Sequence, residues 1–202
     1  MARTISPDYD KRRDAIVEKA AGLYARNGFL GASVADLAKA CKMSKSLIYH
    51  YYPSKEDILL AVMSSHLNEL VDVLSVSMAN GDALEKLRVL TRGFMKKYVG
   101  AAASQKVLLN ELDNLPADKR RAIVGQQLGI VAAVEQLLRE ILPSLVKQER
   151  LQRPIAMLYF GMINWTHTWF DAKGSVSAPQ LADLAVDLFI NGLKSLDPPG
   201  RS

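Results

Sequence analysis

The sequence is poor in cysteine, in aromatic residues and in strand-like alternation. One cysteine among 202 residues excludes a disulfide-rich scaffold and a cysteine-rich zinc module. Aromatic residues make up only 7% of the chain, and the helix formers Ala, Leu, Lys, Glu and Gln recur where alternating Val, Ile and Thr would indicate strands. The first residues contain no apolar stretch typical of a secretory signal. We therefore expect an all-α, cytoplasmic protein.

The chain also lacks the short motifs that accompany common catalytic sites. It has no zincin motif, no phosphate-binding glycine loop and no nucleophile elbow. Its three histidines, His50, His66 and His167, are far apart in the sequence. We interpret His66 and His167 as surface or core residues, and we expect no catalytic residue, metal site or cofactor. A helical small-molecule-binding protein or an enzyme without specific DNA function remains the rival class.

The net charge of +5 is concentrated near the N-terminus. Residues 1–56 contain ten Lys and Arg against six Asp and Glu, whereas residues 57–202 contain sixteen against fifteen. A basic segment joined to a nearly neutral one is typical of a protein with a polyanion-binding domain, or head, followed by a domain with another function. A solvated basic surface without a partner fits the charge equally well.

Capping residues, glycines and prolines divide the chain into about nine predicted helices. The first runs from Ser6 to Asn27 and Gly28, and Ser33 and Ser44 cap two short ones, the latter ending at Tyr51. The remaining helices are predicted over residues 54–80, 82–100, 104–113, 116–143, 154–173 and 177–196.

Residues 154–170 carry no charge, which raises the question of a membrane span. The segment has 17 residues, fewer than the roughly 20 that a span needs, and it contains Asn164, Thr166 and His167. We expect instead a helix buried on two sides, against its own domain and against a second copy of the chain. No membrane partner is expected.

The second and third helices, joined by a tight turn, predict a helix-turn-helix. Ile48 and Tyr52 are four residues apart and face inward, so the rest of the third helix faces out. Lysine can donate to guanine, a hydroxyl can pair with several base edges, and Leu47 can pack on a thymine methyl. A three-helix unit with an ordinary polar surface is the alternative.

Residues 10–62 resemble the DNA-binding domain of the TetR family of bacterial transcriptional regulators. The residues that carry the resemblance best are 42–60, KMSKSLIYHYYPSKEDILL. It implies a TetR-like all-α fold with a helix-turn-helix domain over residues 1–53 and a ligand-binding and dimerisation domain over residues 54–202. The family often has Gly followed by Thr or Ser where this chain has Ser46 and Leu47, so the preferred base step does not carry over.

The resemblance implies phosphate contacts by Ser33, Tyr49 and Lys55. A lysine at a helix N-terminus is well placed for this, because the backbone N–H groups already favour an anion. Base reading would fall to the start of the third helix and to His50, which could contact either a base or the backbone. The predicted DNA-binding residues are Ser33, Ser44, Lys45, Ser46, Leu47, Tyr49, His50 and Lys55.

The resemblance also implies a homodimer that binds a palindromic operator as a repressor. Two-fold pairing places two reading helices about 34 Å apart, in successive major grooves. The last two helices would form the interface, although Gly161 could equally serve packing within one chain. The predicted interface residues are Leu158, Gly161, Met162, Trp165, Trp169, Leu181, Leu184 and Leu188.

Residues 160–170 resemble a TetR subgroup that governs fatty-acid, steroid or aromatic acyl-CoA breakdown. This implies a hydrophobic effector, with an acyl-CoA thioester as the first candidate and a drug that controls an efflux gene as the alternative. Seven basic residues could meet its phosphates: Arg88, Arg92, Lys96, Lys97, Lys119, Arg120 and Arg121. The predicted pocket residues, many of which could simply be core, are Phe94, Tyr98, Leu109, Asn110, Leu128, Val131, Val134, Met157, Phe160 and Trp165.

Overall fold

Residues 7–143 and 149–196 of the computed structural model are described here, and they form helices joined by short connections. No strand occurs in these two ranges, so the all-α prediction is confirmed. Short 3₁₀ turns cover Leu112–Asn114 and Trp165–Thr168. Nine α-helices are given bounds within these two ranges: α1 (Pro7–Gly31), α2 (Val34–Cys41), α3 (Lys45–Tyr51), α4 (Lys55–Ser77), α5 (Ala83–Gly100), α6 (Ala102–Asn110), α7 (Ala117–Ile141), α8 (Glu149–Asn164) and α9 (Ala178–Leu196).

The chain folds as two compact units. The first comprises Met1–Leu67 and Ala101–Val124, and the second comprises Asn68–Gly100 and Gly125–Ser202. The first unit therefore contains α1 to α3, α6 and the first parts of α4 and α7, and α6 packs along α1. It includes more of the chain than the predicted head of residues 1–53, and that domain boundary stays a prediction.

The first unit is built around apolar side chains from four helices. Ile16 of α1, Leu37 of α2, Ile48 of α3 and Ile58 of α4 are almost completely buried. Gly28 interrupts α1 with φ 73°, a conformation that glycine adopts at little cost, so the predicted stop near Asn27 and Gly28 is confirmed.

A buried polar pair joins α4 to α6 in the same unit. Nε2 of His66 lies 2.7 Å from Oε1 of Gln105, and both side chains are buried. The interpretation of His66 as a surface or core residue is therefore confirmed, because it occupies the core. The hydrogen bond offsets the cost of removing these two polar groups from water.

In the second unit, α9 packs chiefly on α5, with α8 beside it. Phe94 of α5, Tyr159 of α8 and Val186 of α9 are buried in its core. A methyl group added at Gly93 would come within 2.4 Å of Cγ1 of Val73, so α4 and α5 approach each other closely only because residue 93 has no side chain.

The predicted bounds of α6 are wrong at both ends. Ser104 was expected to cap a helix running to Asp113, but α6 begins at Ala102 and ends at Asn110, before the 3₁₀ turn. Residue Ala101 at its N-terminus makes no side-chain cap. The Gln105 amide donates to the Ala101 carbonyl oxygen at 3.0 Å, so helical hydrogen bonding begins before Ser104 and the capping signal of Ser104 does not mark the helix start.

The predicted bounds of α8 are also wrong. The helix begins at Glu149, with Pro154 inside it, and ends at Asn164, well before Lys173. Proline removes the amide that would bond to the carbonyl of Arg150, but Pro154 is exposed and close to the helix start. Pro154 lies in the second turn, beyond the first turn in which a helix accommodates proline without losing a hydrogen bond, so α8 contains it at the cost of one backbone hydrogen bond.

Helix α4 is long and apolar enough to cross a membrane by length and composition. Its buried side chains include Leu59, Val62, Met63 and Leu70. A helix that contributes side chains to the core of a protein passes the same test, so this feature is weak support for a membrane span.

Candidate nucleic-acid interface

Local capping residues position the two helices of the predicted helix-turn-helix. Ser33 Oγ accepts a hydrogen bond from the Asp36 amide at 3.0 Å, while the Ser33 amide donates to Oδ2 of Asp36 at 3.1 Å. Hydrogen bonds from the Ser33 side chain and backbone hold the pKa of Asp36 below its usual value. This reciprocal arrangement, a capping box, fixes the start of α2.

The turn between α2 and α3 is equally well defined. Lys42 adopts the left-handed conformation with φ 55°, and its amide returns to the last turn of α2. Ser44 Oγ then accepts a hydrogen bond from the Leu47 amide at 3.1 Å and so starts α3. The predicted bounds of both the second and third helices are confirmed.

Helix α3 buries one face and exposes another. Ile48 and, just after the helix, Tyr52 are buried, which confirms that they face inward. Lys45, Ser46 and His50 are exposed, whereas Leu47 is half-buried. We call the exposed residues Lys45, Ser46, Tyr49 and His50, together with Leu47, the reading face.

Within the reading face, a cation lies beside an aromatic ring. Nζ of Lys45 is 5.9 Å from the ring centroid of Tyr49, whose side chain is 40% exposed. The arrangement places a positive charge, hydroxyl groups and an imidazole on one solvent-facing surface. Such groups can pair with phosphate oxygens and with base edges in the major groove.

The Lys55 ammonium at the start of α4 is already engaged within the protein. Its Nζ donates a hydrogen bond to the carbonyl oxygen of Phe29 and lies 4.1 Å from the Phe29 ring centroid. An ammonium has three N–H donors, so this contact leaves donors for a phosphate. The role of Lys55 in DNA binding, like the roles of Ser33 and Ser44, stays a prediction.

The sequence analysis missed two residues of α1 that contact the end of α3. The Tyr9 ring packs against Tyr51 with a centroid distance of 4.7 Å. Arg13 Nε donates to Oη of Tyr52 at 3.4 Å, and this hydrogen bond raises the pKa of Arg13. These contacts join residues about 40 positions apart, so no local pattern signals them; the spacing of four residues between Tyr9 and Arg13 indicates only that they share a helix face.

In the second unit, α8, the turn after it and α9 expose a set of large apolar side chains. Leu158 is 67% exposed, Trp165 65% and Leu188 63%, and Trp169 and Leu184 are also more than half exposed. A methyl group added at Gly161 would meet no described atom within 4 Å, so packing among the described residues does not require glycine there. We call Leu158, Gly161, Trp165, Trp169, Leu184 and Leu188 the apolar face; the other two predicted interface residues, Met162 and Leu181, are half-buried.

Two arginine–aspartate pairs fix α9 against α5 in this unit. Arg92 makes two hydrogen bonds to Asp183, at 2.7 and 3.1 Å, and Arg88 donates to Asp187. The two aspartates are four residues apart and so share one side of α9. With that side paired and Val186 buried, Leu184 and Leu188 are left pointing to solvent.

The predicted pocket residues do not share one environment. In the second unit, Phe94, Tyr98, Val134 and Phe160 are buried, Val131 is half-buried, and Leu128, Met157 and Trp165 are exposed. In the first unit, Leu109 is half-buried and Asn110 is exposed. A groove of about 270 Å³ in the second unit is lined by other residues, among them Val73, Val76 and Val89. The predicted pocket stays a prediction.

Most of the basic residues considered as phosphate partners are paired with carboxylates of the protein itself. Lys96 and Arg121 are exposed and make no ion pair with the residues that the structure describes. A ligand phosphate would have to compete for the other five. Their pairs are Arg88–Asp187, Arg92–Asp183, Lys97–Glu69, Lys119–Asp57 and Arg120–Asp113.

Comparison with known families agrees with this geometry. Residues 16–62 match the model of bacterial regulatory proteins of the tetR family, and residues 80–193 match the tetracyclin repressor-like C-terminal domain. The protein belongs to the TetR family. This TetR-family chain is therefore a DNA-binding transcriptional regulator and not an enzyme, as the sequence analysis expected.

Three relatives extend the match over nearly the whole chain. A TetR-family regulator from Bordetella parapertussis 12822 is 35% identical, with a TM-score of 0.86 over 93% of this chain and 97% of that one. AibR, solved with isovaleryl coenzyme A and operator DNA, is 28% identical, with a TM-score of 0.76 over 88% and 97%. The fatty acid metabolism regulator protein of Bacillus subtilis (strain 168) is 24% identical over 93% and 96%.

Proposed function

We propose that this TetR-family protein is a cytoplasmic, dimeric, ligand-responsive repressor that binds a palindromic operator through the reading face of α3. The observation that carries the proposal is the division of α3 into a buried side, at Ile48, and an exposed side that bears Lys45, Ser46 and His50. Ser33, Ser44, Tyr49 and Lys55 complete the proposed DNA-binding set. In it, phosphate contacts orient the protein and the exposed side of α3 selects the sequence.

Dimerisation through the apolar face supports this function. One helix-turn-helix reads few base pairs, and two copies joined by two-fold symmetry read twice as many. Large apolar side chains clustered on a surface mark an interaction site, because burying them against a partner removes apolar area from water. The arginine–aspartate pairs that fix α9 on α5 leave Leu184 and Leu188 exposed to a partner chain.

For the effector, we propose a hydrophobic molecule and, as the first candidate, an acyl-CoA thioester. AibR, which resembles 88% of the present chain, was solved with isovaleryl coenzyme A and operator DNA. The exposed cations Lys96 and Arg121 are available to phosphates without first breaking an ion pair among the described residues. An effector releases DNA only if it binds the conformation that does not bind DNA more tightly than the conformation that does. An affinity ratio of about 100 between the two conformations shifts their equilibrium by about 2.7 kcal/mol.

Enrichment of random duplexes on the purified protein tests the DNA part. We expect a palindromic sequence to be enriched and native mass spectrometry to find two chains on it. The enriched duplex should bind at least ~10³-fold more tightly than random DNA, because nonspecific binding consists largely of counterion release. A ratio near one across salt concentrations would contradict sequence-specific recognition.

Titration of the operator complex with candidate effectors tests the ligand part. We expect isovaleryl-CoA or a longer acyl-CoA to release the duplex at lower concentration than free coenzyme A or the free acid. Release by an apolar drug but by no thioester would replace the acyl-CoA proposal with the efflux alternative. Release by free coenzyme A at the same concentration as by the acyl-CoA would show that the acyl chain contributes nothing.

A further inference from the structure

The first turn of α1 packs against the end of the reading helix through three aromatic rings. The ring centroids of Tyr9 and Tyr51 are 4.7 Å apart, and those of Tyr9 and His50 are 6.5 Å apart with the rings nearly perpendicular. His50 and Tyr51 also meet edge to face, at 5.6 Å. Each ring therefore contacts both others, and we call Tyr9, His50 and Tyr51 the ring cluster.

One helical turn further along α1, Arg13 holds the residue that follows α3. Its Nε donates to Oη of Tyr52, and its guanidinium carbon lies 5.2 Å from the Tyr52 ring centroid. Because Tyr9 and Arg13 are four residues apart, they lie on one face of α1. The same face thus contacts the end of α3 at two successive points.

These contacts matter because α3 has only seven residues. An isolated helix of that length is unstable in water, so its last turn depends on packing. His50 is exposed, yet its ring contacts Tyr9 on one side and Tyr51 on another. The ring cluster consequently restricts the rotamers that the His50 side chain can adopt.

We propose that Tyr9 is a positioning residue for DNA recognition. It holds the imidazole of His50 in the orientation in which His50 contacts its base or phosphate, and it does not itself touch DNA. This inference rests on the proposed function, in which the reading face binds the operator. A purely structural Tyr9 would support the fold of α1 and α3 without acting through His50.

A double-mutant cycle on the duplex enriched by the wild-type protein distinguishes these roles. We expect Tyr9→Ala and His50→Ala each to weaken binding about 5- to 10-fold, and the double variant to bind no more weakly than His50→Ala. Tyr9→Phe should bind like the wild type, because the ring contacts do not require the hydroxyl group. Tyr9→Leu, which keeps apolar bulk but removes the ring, should behave like Tyr9→Ala and serves if the alanine variant does not fold.

Ile16→Val provides the matched control for a loss of stability in α1. Ile16 is completely buried, so this variant lowers the unfolding temperature without touching the ring cluster. Its effect on DNA binding should be small and should add to that of His50→Ala. A Tyr9→Ala effect that is equally large in the wild-type and His50→Ala backgrounds, or that is absent, would overturn the positioning role. Failure of the wild-type protein to enrich any sequence would overturn the proposed function itself, and the inference with it.

Discussion

The reading face and the apolar face are both left uncovered by a single chain, but their chemistry is opposite. The reading face presents a lysine, hydroxyl groups and an imidazole, whereas the apolar face presents leucines and tryptophans, among them Leu188 and Trp165. Charged and polar groups are stable when exposed to water, and a polyanion offers them specific electrostatic and hydrogen-bonding partners. Large apolar groups gain from any well-fitting apolar partner. In the function proposed above, this difference corresponds to two partners for one molecule: nucleic acid for one unit and a second copy of the chain for the other.

The largest effect should come from introducing charge into the apolar face. Leu184→Asp combined with Leu188→Asp places two carboxylates where we expect apolar contacts across the dimer, and burying unpaired charge is costly. We expect sedimentation at about 10 µM to show a single 22.3 kDa chain and operator affinity to fall by ~100-fold or more, because each half-site is then bound separately.

Val76→Asp is the matched control for this change. Val76 is an exposed apolar residue of the same unit, on α4 and outside the apolar face. Its substitution should leave the oligomeric state unchanged. A double aspartate variant that remains dimeric, or a Val76→Asp variant that dissociates, would place the interface elsewhere.

A smaller effect is expected from Lys55→Ala in the first unit. The substitution removes one phosphate contact and the contact with Phe29, so binding should weaken about 10-fold on every duplex and the unfolding temperature should fall. The slope of log affinity against log salt should flatten by about one unit. Lys173→Ala, which removes an exposed charge from the second unit, should change neither quantity. An unchanged salt slope for Lys55→Ala would mean that Lys55 contacts Phe29 but no DNA phosphate.

Leu47→Ala should distinguish a residue that selects the base sequence from one that contacts the DNA backbone. Loss of an apolar contact with a thymine methyl should reduce discrimination at one base pair by about fivefold while leaving affinity for random DNA unchanged. Affinities for single-base variants of the enriched duplex measure this directly. A uniform loss across all duplexes would mean that Leu47 supports the fold of α3 and reads no base.

The predictability of the two units from sequence differs for physical reasons. In the first unit, Ser33, Lys42 and Ser44 mark the ends of α2 and α3 through hydrogen bonds within a few residues, so the bounds of these helices follow from local pattern. The contacts of Lys55 with Phe29 and of Tyr9 with Tyr51 join positions 26 and 42 residues apart, and no local pattern indicates them.

In the second unit, a local signal was misleading at the start of α8. Pro154 suggested a helix start, yet α8 begins five residues earlier, at Glu149. The apolar face was predictable in part, because Leu184 and Leu188 have helical spacing. The pairing of Arg88 and Arg92 with two aspartates of α9 was not, because a sequence does not show which carboxylates converge on a basic residue.

The smallest expected effect concerns an ion pair at the start of α4. Lys119 donates to Asp57, and hydrogen bonds from Lys119 and Ser54 lower the pKa of Asp57 in the folded protein. Since the folded pKa lies below the unfolded one, this stabilisation is present above the unfolded pKa and is lost as the pH falls towards the folded one. Lys119→Met should therefore cost up to about 1 kcal/mol of unfolding free energy at pH 7. The difference from the wild type should shrink as the pH falls below about 4, and a difference independent of pH in chemical denaturation would contradict the pairing.

The most direct test of the account is the affinity of the wild-type protein for its enriched palindrome with about five base pairs inserted between the half-sites, about half a helical turn. If the apolar face joins two copies and each inserts α3 into a major groove, the insertion rotates one half-site to the far side of the duplex. We then predict at least a ~100-fold loss of affinity. Binding within about threefold of the uninterrupted palindrome would contradict paired reading by two copies of α3.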